Sequence, residues 1–248
     1  KIWIPMTGTA LPSERAATRV ARQIVVEIQD RGLRPGAKLD PEHVMVEKYG
    51  VARATMREAL RYLEMQGALR IKAGPGGGPV VSVPDIDHLT SAMSLQLQFA
   101  NATFLSVLEA RRSIYPVLVA EASKHATHQD IAELRRCVER LGAAMHDSSE
   151  TTYEARRFQE KLAEASNNLV LGFLVNALHR MSHGSGIEYD LEQRQAHLKH
   201  SQSILRAIEA GDAEKAFEIS TKMHAASKRY WEKNAPELLD TPVSWVIS

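Results

Sequence analysis

Three arginines recur every four residues in the stretch from Asp40 to Gln66: Arg53, Arg57 and Arg61. A guanidinium is a permanent cation whose donors match a phosphate oxygen or the acceptor edge of guanine. On a helix this spacing puts the three on one side, while Met56, Leu60 and Leu63 take another. One face then packs and another offers charge to a polyanion. Just upstream, Asp40 as N-cap, Pro41 at the first helical position and Glu42 in the first turn predict a shorter helix. Tyr49-Gly50-Val51 ends it, because glycine takes the left-handed conformation cheaply. Two short helices joined by a glycine turn form a helix-turn-helix, whose second helix fits the major groove of DNA. An isolated helix can carry such arginines merely as a solvated face, so the neighbouring elements must supply the context.

They do so on both sides. Pro12-Ser13 offers a helix start, and Ala17, Val20, Ile24, Ile28 and Leu33 mark an amphipathic helix ending near Gly32, followed by an Arg34-Pro35-Gly36 turn. After Gly67, the alternation Leu69-Arg70-Ile71-Lys72 and the later Val80, Val81 and Val83 predict two strands. Gly74-Pro75-Gly76-Gly77-Gly78 separates them, making a hairpin of the kind that forms the wing of a winged helix-turn-helix. The tip lacks the Gly-Lys-Ser/Thr ending of a nucleotide-binding loop and opens no helix. A tip without side chains instead suits close approach to a DNA backbone or minor groove.

Charge follows the same division. Residues 1–83 hold 13 Lys+Arg against 8 Asp+Glu, a net of +5, and the remainder holds 18 against 22, a net of −4, within a chain of 248 residues and net charge +1. A cationic head joined to a mildly acidic body fits phosphate binding by the head. With 44% hydrophobic and 25% charged residues the composition is that of a globular protein with room for two domains. No apolar run approaches a membrane span and nothing at the start resembles a signal peptide, so a cytoplasmic protein is expected. The lone Cys137, beside Leu134, Val138 and Leu141, reads as packing rather than nucleophile, in a reducing compartment.

The ordered positions Gly32-Leu33-Arg34-Pro35-Gly36-Ala37-Lys38-Leu39, Glu42, Gly50-Val51-Ala52-Arg53-Ala54-Thr55-Met56-Arg57-Glu58-Ala59-Leu60, Leu63 and Gly67-Ala68-Leu69 resemble the DNA-binding domain of GntR-family bacterial transcription regulators. The resemblance covers roughly residues 15–83. It implies operator contacts from Arg53 and Arg57, a backbone or base contact from Thr55, and a wing Gly74 near the minor groove; Arg61 is a further candidate. Two positions depart from the family pattern. Leu39-Asp40-Pro41-Glu42 stands where Leu-Pro-Ser-Glu is usual, and His43 replaces a frequent arginine, which would make that phosphate contact weaker or pH-dependent.

Pro84-Asp85 marks a linker, 84–87. From Asp87 to about Asn234 the pattern is helical throughout, with breaks at Asn101, Thr127, Ser148-Ser149, Asn167-Asn168, His183–Gly186 and Gly211, giving six or seven helices. Pro116 falls inside the second of them and should kink it or displace a hydrogen bond. The pieces Leu108-Glu109-Ala110-Arg111-Arg112 with Pro116 and Ala120, Phe158 with Leu162-Ala163-Glu164-Ala165-Ser166-Asn167-Asn168, and Ile204-Leu205, Ala207-Ile208, Gly211-Asp212 and Ala216 resemble the FCD-type ligand-binding domain of the FadR subgroup.

That resemblance implies an antiparallel helical bundle around an effector cavity, where many members hold a divalent metal through an aspartate and three histidines. Those positions fall here on Ala155, Gln159, Ser201 and Met223, a set unsuited to such an ion, so no metal or other cofactor is expected. A shifted site from His197, His200 and His224 is a weak alternative, since one-residue slips rotate a helical side chain by about 100°. His179 and His183 share metal-like spacing without a third ligand type. The effector anchors are then Arg111 or Arg112, with Tyr115, Gln159, Asn176 and Tyr189 adding polar contacts, for a small acidic or acyl metabolite.

The fold expected is mainly α: a winged helix-turn-helix with a short hairpin wing at 13–83, the linker, an all-helical effector-binding and dimerisation bundle at 88–234, and a tail at 235–248. The function expected is a homodimeric, ligand-responsive regulator that binds a double-stranded operator, most simply a repressor released from a palindrome. The rivals are an all-helical enzyme with an accessory nucleic-acid module, which lacks a recognisable nucleophile–base set, and an architectural DNA binder without effector.

Overall fold

The computed structural model describes residues 15–74, 76–183 and 190–246, with His183 described by its backbone alone. The helix start expected at Pro12-Ser13, the wing residue Pro75, the Gly184–Gly186 break and Tyr189 lie outside the described residues. The chain divides between His88 and Leu89 into two compact units.

The first unit runs α1 (Ala16–Asp30), α2 (Glu42–Tyr49), α3 (Arg53–Met65), β1 (Leu69–Lys72) and β2 (Gly78–Val81). Helix α1 buries Ala17, Val20, Ala21 and Ile24, the i, i+3, i+4, i+7 stripe of one face, against Met56, Leu60 and Leu63 of α3. The two strands pair antiparallel, from Leu69 opposite Val81 to Lys72 opposite Gly78. Val83 stays outside the pairing and Gly78 enters it, a shift from the strand expected over Val80 to Val83. The segment before α2 adds a short third edge: Leu39 N–H donates to Pro79 C=O and Val81 N–H to Ala37 C=O, with Lys38 bridged to Val80.

Asp40 is not the N-cap of α2. Pro41 occupies that position, its extended φ and ψ of −56° and 149° turning the chain into the helix without a side-chain cap. The Asp40 carboxylate is drawn instead to Lys48 at 3.6 Å and Arg31 at 3.9 Å. Gly50, left-handed at φ 61°, makes the turn between α2 and α3. Gly67 closes α3 at φ +72°, and a Cβ there would lie 2.6 Å from the His88 ring, so both backbone and contact require glycine.

Glu27 ties α1 to α2. Its carboxylate accepts from Lys48 Nζ at 2.6 Å, from Arg31 Nη1 at 2.7 Å and from the Tyr49 hydroxyl. Partial burial pushes the carboxyl up, but the hydrogen bonds from Lys48, Tyr49 and Arg31 outweigh it and hold the pKa at about 2.

The second unit contains most of α4 (Ile86–Phe99), which crosses the division, then α5 (Phe104–His125), α6 (His128–Ala143), α7 (Ser148–Ala165), α8 (Leu169–His183), α9 (Leu191–Glu209), α10 (Ala213–Asn234) and the short α11 (Pro236–Leu239). Helix α5 is the centre of the bundle, touching α7, α8, α9 and α10. Its Leu118, Val119 and Ala122 form the core with Leu134, Phe158, Leu162, Val175, Ile204 and Ile208. Helix starts are set by side chains: Thr127 and Asp130 form a capping box, and Asp147, Asp190 and Asp212 each accept from first-turn N–H groups. Pro116 is buried within a continuous α5, where it supplies no N–H to the Arg112 carbonyl. Among the described residues no helix is long and apolar enough to cross a membrane.

The stretch expected as a tail carries α11 and then a strap along α4. Trp245 Nε1 donates to Ser91 Oγ at 2.8 Å, Trp245 N–H to Gln98 Oε1 at 2.8 Å, and Val246 N–H to Ser94 Oγ at 3.0 Å.

Replacing Glu27 by Gln removes the charge that Lys48 and Arg31 share. We expect Glu27→Gln to destabilise the first unit by about 1–2 kcal/mol at neutral pH, read as a lower urea midpoint. Because the folded pKa is depressed from 4.5 to about 2, the contribution is complete above pH 4.5 and lost as pH falls toward 2, so wild type and variant should converge in acid. A constant gap from pH 7 to pH 2 would contradict the assignment.

Candidate nucleic-acid interface and effector site

The exposed face of α3 is cationic. Arg53, Arg57 and Arg61 are all exposed and Thr55 is half-buried. Arg57 is not a free arm: its Nε donates to Glu42 Oε1 of α2 at 2.9 Å, fixing the guanidinium across the helix pair. Glu42, which the sequence suggested only as a first-turn acid, is therefore the residue that aims Arg57. Arg57 and Arg61 come together with Arg15, Thr18 and Tyr62 along a groove of about 690 Å³ between α1 and α3, whereas Arg53 lies outside that lining. The N-cap Ala52 offers no side-chain oxygen, so the first N–H groups of α3 have no side-chain cap and can meet a phosphate.

His43 is exposed in the first turn of α2. Gly74 lies at the wing with φ +93°, and Lys38 Nζ donates to the Gly76 carbonyl at 3.1 Å, steadying the tip from the segment before α2. Lys38 and Arg15 had no periodic signal to single them out, and only the packing assembles them with the rest.

In the second unit a buried polar cluster forms around α5. Arg111 is 9% exposed; its Nη1 donates to Ser182 Oγ at 2.7 Å and its Nη2 meets His179 Nδ1 at 3.2 Å, both on α8. Arg112, the other arginine candidate, points outward and is exposed, because adjacent helical positions differ by about 100°. Tyr115, one turn further, donates its hydroxyl to Gln159 Oε1 on α7 at 2.8 Å and stands edge-on to the His224 ring of α10, centroids 4.9 Å apart. Burial pushes the Tyr115 phenol up, which keeps it a donor.

The histidines of α9 and α10 belong to the same cluster. Burial, followed by the Arg111 charge, lowers His197 to about 4 and His224 to about 3, so both rings are neutral near pH 7. Burial also lowers His200, which lines a surface groove of about 510 Å³ between α9 and α10. Among the described residues, Gln159 Nε2, His224 Nε2 and Asn176 Oδ1 are buried polar atoms that meet no hydrogen-bond partner. Asn176 is half-buried on α8, and the side chain of His183 lies outside the described set. Cys137 is buried in the core with its thiol pushed up by burial.

Comparison with known proteins places both units. Residues 16–78 match the family model described as bacterial regulatory proteins, gntR family, and residues 106–226 match the FCD domain. The chain belongs to the GntR family. It is 27% identical over 237 residues to a putative L-lactate dehydrogenase operon regulatory protein of Escherichia coli, covering 89% of this chain and 90% of that one. It is 26% identical over 209 residues to the Uxu operon regulator of Haemophilus influenzae, covering 82% and 76%. A solved structure described as Streptococcus agalactiae GntR aligns with a TM-score of 0.67 at 20% identity, over 86% of this chain and 99% of that chain, a likeness of fold.

In this GntR-family chain the four positions to which the resemblance would assign a metal carry side chains that do not fit one. Ala155 has no donor and packs with Leu141 of α6 and with Met145 just after that helix, while the adjacent buried carboxylate of Glu154 is taken by Arg140 at 2.9 Å. Gln159 Oε1 already accepts from Tyr115, Ser201 is a buried neutral hydroxyl, and Met223 packs against the apolar core. Among the described residues no group of three or more His, Cys, Asp or Glu is placed to hold a metal ion, which also leaves His197, His200 and His224 short of a ligand set.

Tyr115→Phe keeps the ring and deletes the donor to Gln159. It should lower stability by about 1–2 kcal/mol, since a buried amide oxygen loses its partner. An unchanged urea midpoint would show that this hydrogen bond does not hold the cluster.

Proposed function

We propose that this protein is a homodimeric DNA-binding transcription regulator whose C-terminal bundle takes a small acidic or acyl metabolite, and that it acts as a repressor released from a palindromic operator. The observation that carries the reading is the fixed Arg57: a recognition-helix guanidinium held by Glu42 on an exposed face, beside an uncapped helix start and a glycine wing. Arg53 and Arg57 read bases or phosphates in the major groove, Thr55 and His43 contact the backbone, Arg61 adds charge, and Gly74 lets the wing approach a minor groove. Two-fold symmetry places two such heads on half-sites one helical turn apart or a multiple of it.

The relatives described above are named as operon regulators, which supports regulation over catalysis, and the one named for L-lactate dehydrogenase supports a small acid as signal. The effector shifts operator affinity only if it binds the DNA-competent and incompetent states unequally. Such a regulator works where the chromosome is, in the cytoplasm.

Arg57→Ala in a folded protein should cost about 1–3 kcal/mol of operator binding at fixed salt. Anisotropy titration of a labelled operator checks this, with a scrambled duplex as control. Unchanged specific affinity would overturn the recognition assignment.

A further inference from the structure

Helix α4 is held at its two ends by different means. Its first turn belongs to the head: the Asp85 carboxylate accepts from the N–H groups of Asp87 and His88 at 3.0 and 3.2 Å and meets His88 Nδ1 at 2.7 Å, and the His88 ring lies against Gly67 at the end of α3. The rest of α4 lies in the bundle unit, yet among the described residues no other helix of that unit packs extensively along it. Its fully buried residues are two hydroxyl side chains one turn apart, Thr90 and Ser94, while Phe99 is 81% exposed. This polar face meets residues 241–246. Ser94 Oγ accepts from Val246 N–H, Ser91 Oγ from the Trp245 indole and Gln98 Oε1 from Trp245 N–H. The strap is anchored upstream, where Phe104 N–H donates to Thr241 C=O at 2.9 Å and Val243 N–H to Ala102 C=O at 2.8 Å. Behind it α10 carries Trp231 in its last turn, edge-on to Phe104 of α5 with centroids 5.9 Å apart. An apolar seam would hold α4 permanently. A few neutral hydrogen bonds, each worth a factor of about five in the closed-to-open ratio, hold it reversibly.

We propose that residues 241–246 are a releasable clasp on α4: closed, it fixes the helix and favours operator binding; open, it frees the helix and weakens the operator complex. The inference rests on the DNA-binding role proposed above and names an element that regulates it. Two heads on one palindrome must keep a fixed spacing, and a helix already held loses little freedom when they bind. The fixed first turn, with His88 on Gly67, makes the head follow the start of α4. Because the strap continues from α10 through α11, a displacement of α10 pulls on the clasp through the chain itself. The clasp is then an element with two states that both DNA and a ligand of the bundle can bias.

Hydrogen–deuterium exchange and operator titration of the full chain test the two halves of the proposal, the operator being a duplex enriched from a random library by the wild-type protein. Gln98→Ala removes one acceptor at an exposed position where alanine favours the helix, and should speed exchange of the α4 amides about fivefold. Combined with Trp245→Ala, it should weaken operator binding at least about threefold at fixed salt, since only the closed fraction binds tightly, with the α3 amides exchanging as in wild type. Gln96→Ala, exposed on the same helix and about 200° around it from Gln98, should change neither measurement. Unchanged α4 exchange in the Gln98 and Trp245 variants would show that no clasp exists. Faster exchange with undiminished operator affinity would show that the strap only stabilises the bundle, and either result overturns the proposal. Failure of the wild-type protein to enrich any duplex would instead remove the regulator reading and the coupling with it, while the exchange measurement still decides whether residues 241–246 hold α4.

Discussion

A guanidinium withdrawn from water must be surrounded by acceptors, and the C-terminal bundle is built around one such group. Arg111 sits on α5, the helix that touches α7, α8, α9 and α10, so its charge is felt on every side. Ser182 and His179 on α8 meet its terminal nitrogens. His179 accepts there through Nδ1, which places the ring proton on Nε2. The same charge, added to burial, keeps His197 and His224 neutral.

Much of the head is legible in the sequence because its signals are local. The four-residue spacing of arginines, the glycine turn at Gly50 and the alternation after Gly67 each act within one or two turns of chain. What escaped was long in sequence and short in space. Glu27 reaches Lys48 and Tyr49 in another helix, Glu42 reaches Arg57 fifteen residues on, and Ala37 to Leu39 join the hairpin as a third edge. No periodicity announces such pairs. The cap of α2 slipped by one residue because Asp40 and Pro41 are both competent starts, and the pull of Lys48 and Arg31 on Asp40 decides between them.

In the bundle, helix number and breaks followed from caps and from asparagines that tolerate positive φ, as at Asn101 and Asn167. The choice between Arg111 and Arg112 could not follow, since α5 is buried on several sides and a one-residue difference decides which arginine is enclosed. The side-chain types at Ala155, Gln159, Ser201 and Met223 are read directly from the sequence. What Gln159 touches is not, because the Tyr115–Gln159 pair joins residues 44 positions apart. Likewise nothing in the last residues predicts that Trp245 binds Ser91 and Gln98 of α4.

One chain joins a DNA-reading head to an FCD domain, and the proposed regulation requires the two to be energetically linked. The most direct measurement is fluorescence anisotropy of a preformed operator complex during titration with small acidic and acyl compounds such as L-lactate and hexanoate. The account predicts that the operator affinity falls as the ligand saturates, and that operator in turn weakens ligand binding by the same factor, as linkage requires. A saturating ligand that leaves operator affinity unchanged would contradict it, because equal affinity for both states shifts nothing.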